Sequence, residues 1–181
     1  MTSLNFPADY SEKFTARDGT QFHLRLVQAS DKPLFVEGLR NLSPLTRYHR
    51  FLRIKTSFSV SEQQYLTEVD GVQHFCIVAL YENHLAGVVR FIRLGHRPDA
   101  AEFALTVADE FHGVGLGSTL LNRICEAAIE RDISFLCGTM HADNSRMFHL
   151  VDQMNCITDW VVIEGIASFE LDLESYRNQE K

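Results

Sequence analysis

The sequence predicts an α/β chain, α+β in arrangement, with a mixed, mostly antiparallel central sheet flanked by helices. Three observations predict it. His74–Tyr81, His84–Leu94 and Ala100–Val107 are apolar, extended runs joined by short polar links, the pattern of an antiparallel meander. Phe111-His112-Gly113-Val114-Gly115-Leu116-Gly117-Ser118 is a glycine-rich turn between the last run and a helical pattern at Leu120, Leu121, Ile124, Ala127 and Ala128. The strand–turn–helix–strand unit from Ala100 to Thr139 then calls for parallel or near-parallel pairing through a right-handed crossover.

Residues 1–10 read as a loose arm. Ser11–Ala16 and Gln21–Gln28 form a hairpin across Arg17-Asp18-Gly19-Thr20, because Asp-Gly between extended segments favours a tight turn. Ser30-Asp31 caps a helix carrying Leu34, Phe35 and Leu39. A second helix starts at Ser43-Pro44 and runs through Arg47, Tyr48, Phe51 and Leu52, with proline in its first turn. Ser61 opens a third. Gly95–Asp99 is a polar link containing Pro98. The helix after the glycines extends to about Arg131, and Ile133–Thr139 is an apolar strand. Asn144–Met154 is a helix with Met147, Phe148, Val151 and Met154 on one face. Ile157–Val162 and Ile166–Leu173 close the fold as a hairpin across Glu164-Gly165. The polar tail after it is expected to fray.

The chain has 181 residues, 45% of them hydrophobic and 23% charged, which fits one globular domain over 1–181. Its net charge of −7, with no Lys/Arg run, argues against nucleic acid and against an anionic membrane surface. The opening residues are not a signal peptide, and no apolar run is long enough to span a bilayer. Cys76, Cys125, Cys137 and Cys156 are scattered through apolar patterns and read as reduced thiols, so the expected location is the cytoplasm. The histidines at 23, 49, 74, 84, 96, 141 and 149 show no zinc spacing, and no metal is expected.

The glycine turn points bare N–H groups over a helix N-terminus, a cradle for phosphate. A dinucleotide fold would place these glycines after the first strand of alternating βα units, with an acid about 20 residues on. Here they follow a meander, and the next strand ends in Cys137-Gly138-Thr139. No Lys-Ser/Thr follows them, which excludes a nucleotide P-loop.

Phe111 to Gly117 resembles the acetyl-CoA pyrophosphate loop of the GNAT acyltransferase superfamily, whose pattern is Gln/Arg-x-x-Gly-x-Gly/Ala. Asp143-Asn144 with Met147, Leu150 and Met154-Asn155-Cys156 is similar to that family's downstream helix. Arg17-Asp18-Gly19-Thr20, Asn41-Leu42-Ser43-Pro44 with Arg47-Tyr48 and Arg50-Phe51, and Ala101-Glu102-Phe103-Ala104 resemble, more narrowly, the GNAT domain of bacterial protein lysine acetyltransferases. The resemblance implies a sheet splayed between its fourth and fifth strands. It implies acetyl-CoA as co-substrate, its pantetheine along the backbone of Leu105, Thr106 and Val107. Its pyrophosphate would rest on His112, Gly113, Val114, Gly115, Leu116, Gly117 and Ser118, and Asn144 would touch it beyond the next strand. From the residues alone, Asn144 is a helix cap, with Asp143 an equal contender. His112 departs from the usual Gln or Arg, and Val114 from a frequent Arg or Lys. Val151 occupies the position of the family's general-acid Tyr.

The expected activity is acetyl transfer to a primary amine, a protein lysine or a small molecule such as a polyamine. An ammonium with pKa ~10.4 must lose a proton before it attacks a thioester. Glu102, the one acid inside an apolar strand, is the candidate base, and burial would raise its pKa. A main-chain N–H near Val107 would polarise the thioester carbonyl. Arg47, Tyr48 and Arg50 read as a solvated helix face with a half-buried Tyr, although the resemblance borders them on the acceptor pocket. A catalytically silent acyl-CoA sensor and a homodimer remain open.

Overall fold

A computed structural model describes residues 5–179. Eight strands form one sheet: β1 (Ser11–Thr15), β2 (Gln21–Leu26), β3 (His74–Tyr81), β4 (His84–Leu94), β5 (Arg97–Val107), β6 (Phe135–His141), β7 (Ile157–Ile163) and β8 (Ile166–Asp172). Their order is β1-β2-β3-β4-β5-β6-β8-β7. Every neighbouring pair is antiparallel except β5 and β6, which run parallel as the crossover requires. The helices are α1 (Lys32–Asn41), α2 (Pro44–Phe51), α3 (Val60–Thr67), α4 (Leu116–Ile129), α5 (Ser145–Asp152) and α6 (Leu173–Gln179).

Strand alternation sorts the side chains into two layers. Phe75, Ile77, Val89, Phe91, Phe103 and Leu105 face α4, whose Leu116, Leu120, Leu121 and Ile124 are fully buried against them. Each such aliphatic side chain contributes about 2 kcal/mol of burial. Cys76, Val78 and Leu80 face the other way, onto Phe35 of α1 and Leu66 of α3. On that second side α2 lies against β5 and β6.

Several boundaries differ from the sequence reading. β5 begins at Arg97, so Pro98 lies inside a strand, next to the register shift at Arg93 and Leu94. The arm is anchored from Asn5 onward. Phe6 is 2% exposed, its ring meets Phe75 edge-on, and the N–H groups of Asn5 and Phe6 donate to the Glu130 carboxylate. The polar tail forms α6, because Tyr176 finds a buried seat. Residues 1–4 and 180–181, the ends of the expected arm and tail, lie outside the described residues. Cys137 is half-buried; the other three cysteines are buried, and all four are free thiols.

The feature that positions the site is the parting of β5 from β6. They pair at three rungs, Ala100 with Phe135, Ala101 with Leu136 and Glu102 with Cys137, and then diverge. These are the fourth and fifth strands counted from β2; the hairpin strand β1 adds one ahead of them. Gly138 is the first residue of β6 past the rungs. A Cβ there would sit 2.4 Å from Phe169 and 2.9 Å from Phe103, so only glycine lets that aromatic pair close the root of the gap.

Candidate active site

Beyond the rungs lies a cleft of about 630 Å3. Glu102, Leu105, Thr106 and Val107 form one wall, and Gly138, Thr139 and Met140 form the other. His112, Gly113, Gly115, Gly117 and Ser118 close one end, and Asn144 lines it from α5. Two of the expected contacts do not face the cleft. Leu116 is fully buried among the core side chains, leaving only its backbone to a ligand. Val114 packs toward the core, and its carbonyl accepts from the Arg17 N–H at 3.1 Å.

The glycine turn has the expected geometry. Gly113 and Gly115 have φ of +81° and +99°, a region that disfavours side chains. Gly115 is the N-cap of α4, so the N–H groups of Leu116, Gly117 and Ser118 are first-turn donors without intrahelical acceptors. His112 is built into the cleft rather than hanging over it. Its Nε2 donates to the Val107 carbonyl at 3.0 Å, and its Nδ1 accepts from Arg146 at 2.9 Å. One ring thereby ties the end of β5 to α5. Asn144 does cap α5, its Oδ1 accepting from the Met147 N–H at 3.2 Å, while Asp143 lies 3.5 Å from His49 Nε2.

Sequence reasoning missed the cleft's positive charge. Arg17 reaches over from the β1–β2 turn, its Nε 3.8 Å from where a Gly115 Cβ would be. Arg146 stands beside His112. These two restore the charge that Val114 withholds from the loop. With Arg50 and Arg53 they put four arginines against one carboxylate, Glu102, among the cleft-lining residues of a chain whose net charge is −7. The signal was present only as scattered residues: one in a hairpin turn, two on or just beyond α2, one on α5.

Glu102 is exposed on the cleft wall, so the burial expected to tune it is absent. The reason is strand alternation: Ala101, Phe103 and Leu105 point to α4, and Glu102, Ala104 and Thr106 point to the α2 side. α2 is clamped at both ends. The Ser43 N–H (2.8 Å), the Ser43 hydroxyl (2.8 Å) and the Thr46 hydroxyl (2.6 Å) all donate to Asp109. At its far end Tyr48 stacks on His141, with ring centres 4.2 Å apart. Arg50, expected on a solvated face, lines the cleft instead. Among the described residues no three His, Cys, Asp or Glu side chains cluster as a metal site, and no helix is long and apolar enough to cross a membrane.

A profile of the Acetyltransferase (GNAT) family matches residues 43–154, the stretch from the α2 cap through α5. The chain belongs to this family. That family uses acetyl-CoA, and a turn of bare N–H groups with Arg17 and Arg146 beside it is a setting for phosphates. The chain is 31% identical over 161 residues to acetyltransferase Pat of Mycolicibacterium smegmatis, a match covering 87% of this chain and 47% of that protein. It therefore spans about half the length of that relative. It is 25% identical over 153 residues to spermidine N(1)-acetyltransferase of Vibrio cholerae, covering 80% of this chain and 84% of that one. Among solved structures, the GNAT domain of S. lividans PAT superposes with a TM-score of 0.86 at 24% identity, over 92% of this chain and 99% of that one. The two chains share the fold over nearly their whole length.

Proposed function

We propose that the chain moves an acetyl group from acetyl-CoA to a primary amine, with Glu102 as the base. One observation carries this reading. Glu102 is the only carboxylate among the described cleft-lining residues, and it stands on the last rung before β5 and β6 part. A base at that point reaches both the gap between the strands and the α2 side, from which an acceptor approaches.

When bound, acetyl-CoA supplies the acetyl group as an activated thioester. Gly113, Gly115, Leu116, Gly117 and Ser118 hold the pyrophosphate through backbone N–H groups, with Arg17 and Arg146 as countercharges. Leu105 and Val107 offer backbone groups that β6 leaves unpaired past Glu102, apart from the Val107 carbonyl, which His112 occupies, while Thr106 lines the cleft between them with its backbone turned to β4. The Val107 N–H is the donor assigned to the carbonyl that must be polarised. Glu102 takes the amine's proton, directly or through water. Val151 is fully buried and has no proton to give, so the family's usual acid is missing from its position.

A protein lysine is the acceptor suggested by the motifs shared with protein lysine acetyltransferases; the spermidine relative points to a small amine instead. The same reading places the chain in the cytoplasm, where four free thiols stay reduced. It also includes a homodimer, because the edge strand β7 exposes Val161, Val162 and Ile163; sedimentation of the pure chain checks that.

The test is transfer from acetyl-CoA to a panel of amines by wild type and Glu102→Gln. The expected result is a fall in kcat of about 10²–10⁴-fold with acetyl-CoA affinity retained. Tight acetyl-CoA binding with equally negligible turnover in both proteins would make the chain a sensor.

A further inference from the structure

On the α2 side of the sheet, next to Glu102, lies a small pocket with apolar walls that include Phe35, Leu39, Phe51 and Leu66. Arg50 and Arg90 are its charged lining, and it has no Asp or Glu. Arg90 comes from the middle of β4 and is 3% exposed. It stands opposite Ala104, one side-chain step along β5 from Glu102, a diagonal spacing of about 7–8 Å. Arg50 reaches the same place from α2.

Two guanidinium groups in an apolar pocket need a counter-ion. Among the described residues neither has a carboxylate within ion-pair distance. The nearest buried acid, Asp31, is already spent on Arg25, which grips both its oxygens at 2.7 Å. Arg90 donates to His74 at 3.3 Å, but burial and Arg90 itself hold that imidazole at about 4, so it is neutral and offers no charge. The Arg90 Nε is buried with no hydrogen-bond partner among the described residues, and its guanidinium lies over the Phe35 ring, 5.6 Å from the centre. Among the described residues no hydrogen bond reaches the Arg50 guanidinium, which sits over the Phe51 ring with its centre 5.0 Å away. Burial depresses Arg50, the charge of Arg90 depresses it further, and Cys76 and Glu102 oppose the effect. The one carboxylate near enough to act on Arg50 is therefore the proposed base. Arg25, on β2, shows how the fold neutralises a cation with its own carboxylate; Arg50 and Arg90 are left for something else.

We infer that this pocket binds a carboxylate, and that the acceptor is a small primary amine carrying one. The inference rests on the acetyl-transfer reading for the amine and on the two arginines for the acid. An ω-amino acid spans the arrangement: its carboxylate lies between Arg50 and Arg90, its short aliphatic chain touches the apolar wall, and its amine faces Glu102. A polyamine would place a second cation against two guanidiniums, which disfavours it.

The test compares 4-aminobutyrate with 4-aminobutyramide and putrescine as acceptors, for wild type, Arg50→Gln and Arg50→Lys. The acid is expected to exceed its amide in kcat/KM by about ten- to a hundredfold, the range of a charge-assisted pair. The ratio falls toward one in Arg50→Gln and is partly kept in Arg50→Lys. Circular dichroism confirms that each variant is folded. Calorimetry with butyrate against butyramide reads the pocket without any transfer. Arg50-dependent butyrate binding with no amine acetylated sinks the transfer reading and leaves the carboxylate site standing. Acetylation of all three amines at similar rates, or equal binding of butyrate and butyramide, overturns the carboxylate site. Faster transfer to a lysine peptide flanked by glutamates than to any free amino acid overturns the small acceptor.

Discussion

His74 illustrates how one half-buried ring registers its surroundings. It opens β3 under Tyr65, its ring accepts from Arg90, and its main-chain N–H donates to Asp70 at 2.9 Å. Burial first, and Arg90 second, lower it to about 4, with Asp70 opposing. In the unfolded chain a histidine titrates near ~6.5. Between those values the unfolded state takes up the proton first. The stability that neutral His74 allows is therefore complete above ~6.5 and is lost as pH falls toward about 4. The thermal midpoint should drop across that window, and His74→Asn should flatten the drop; a slope unchanged by the substitution refutes the assignment. At this scale the glycines of the turn, Glu102 and Asn144 were legible, because each sits in a local pattern. Arg17, Arg50 and Arg90 were not. Their meaning comes from what the fold sets beside them, and for Arg50 the usual reading of a helix arginine as solvated was wrong.

Among the elements, α2 carries the most for its length. It has no fully buried residue, so packing alone does not hold it. Asp109 does much of the holding. Partial burial pushes its carboxyl up, but the Ser43 N–H and the Ser43 and Thr46 hydroxyls win and keep it below the usual range. A depressed carboxylate stabilises above its unfolded pKa of ~3.9, and that contribution fades as pH falls through the folded value. Asp109→Ala should cost about 1–3 kcal/mol in urea unfolding and raise KM for the amine, since α2 forms one side of the cleft. Asp109→Asn keeps an acceptor and should cost less. The elements themselves were well marked: the bounds of β3 and β4 match their apolar runs, and Ser43 and Asn144 are the caps they resemble. Errors arose where tertiary contacts overrule local signals. Pro98 joins β5 beside a register shift, and Tyr176 draws a polar tail into a helix.

For the whole molecule, the charge distribution matters more than the sum. A net −7 suggests weak attraction for an anion, yet the cleft gathers arginines from β1–β2, α2 and α5. Attraction of a polyanion to such a patch is screened by salt. Acetyl-CoA affinity should therefore fall steadily with ionic strength. Arg17→Gln should weaken binding by about tenfold and make that salt dependence shallower. Titration at several salt concentrations checks both, and a salt-independent affinity would mean the arginines do not meet the phosphates.

Two half-sheets, β1–β5 and β6 with β8 and β7, meet at only three rungs between Ala100 and Glu102. Mechanically these rungs are the pivot of a pair of jaws. Glu102 sits on the pivot, and the phosphate turn begins beyond the tip of one jaw, past Val107. At ~3.3 Å per residue the arm from Glu102 to Val107 is about 16 Å long, so a rotation of about 10° opens the tip by about 3 Å while hardly moving the base of the jaw. The mouth of the cleft can widen for a bulky nucleotide while Glu102 keeps its place.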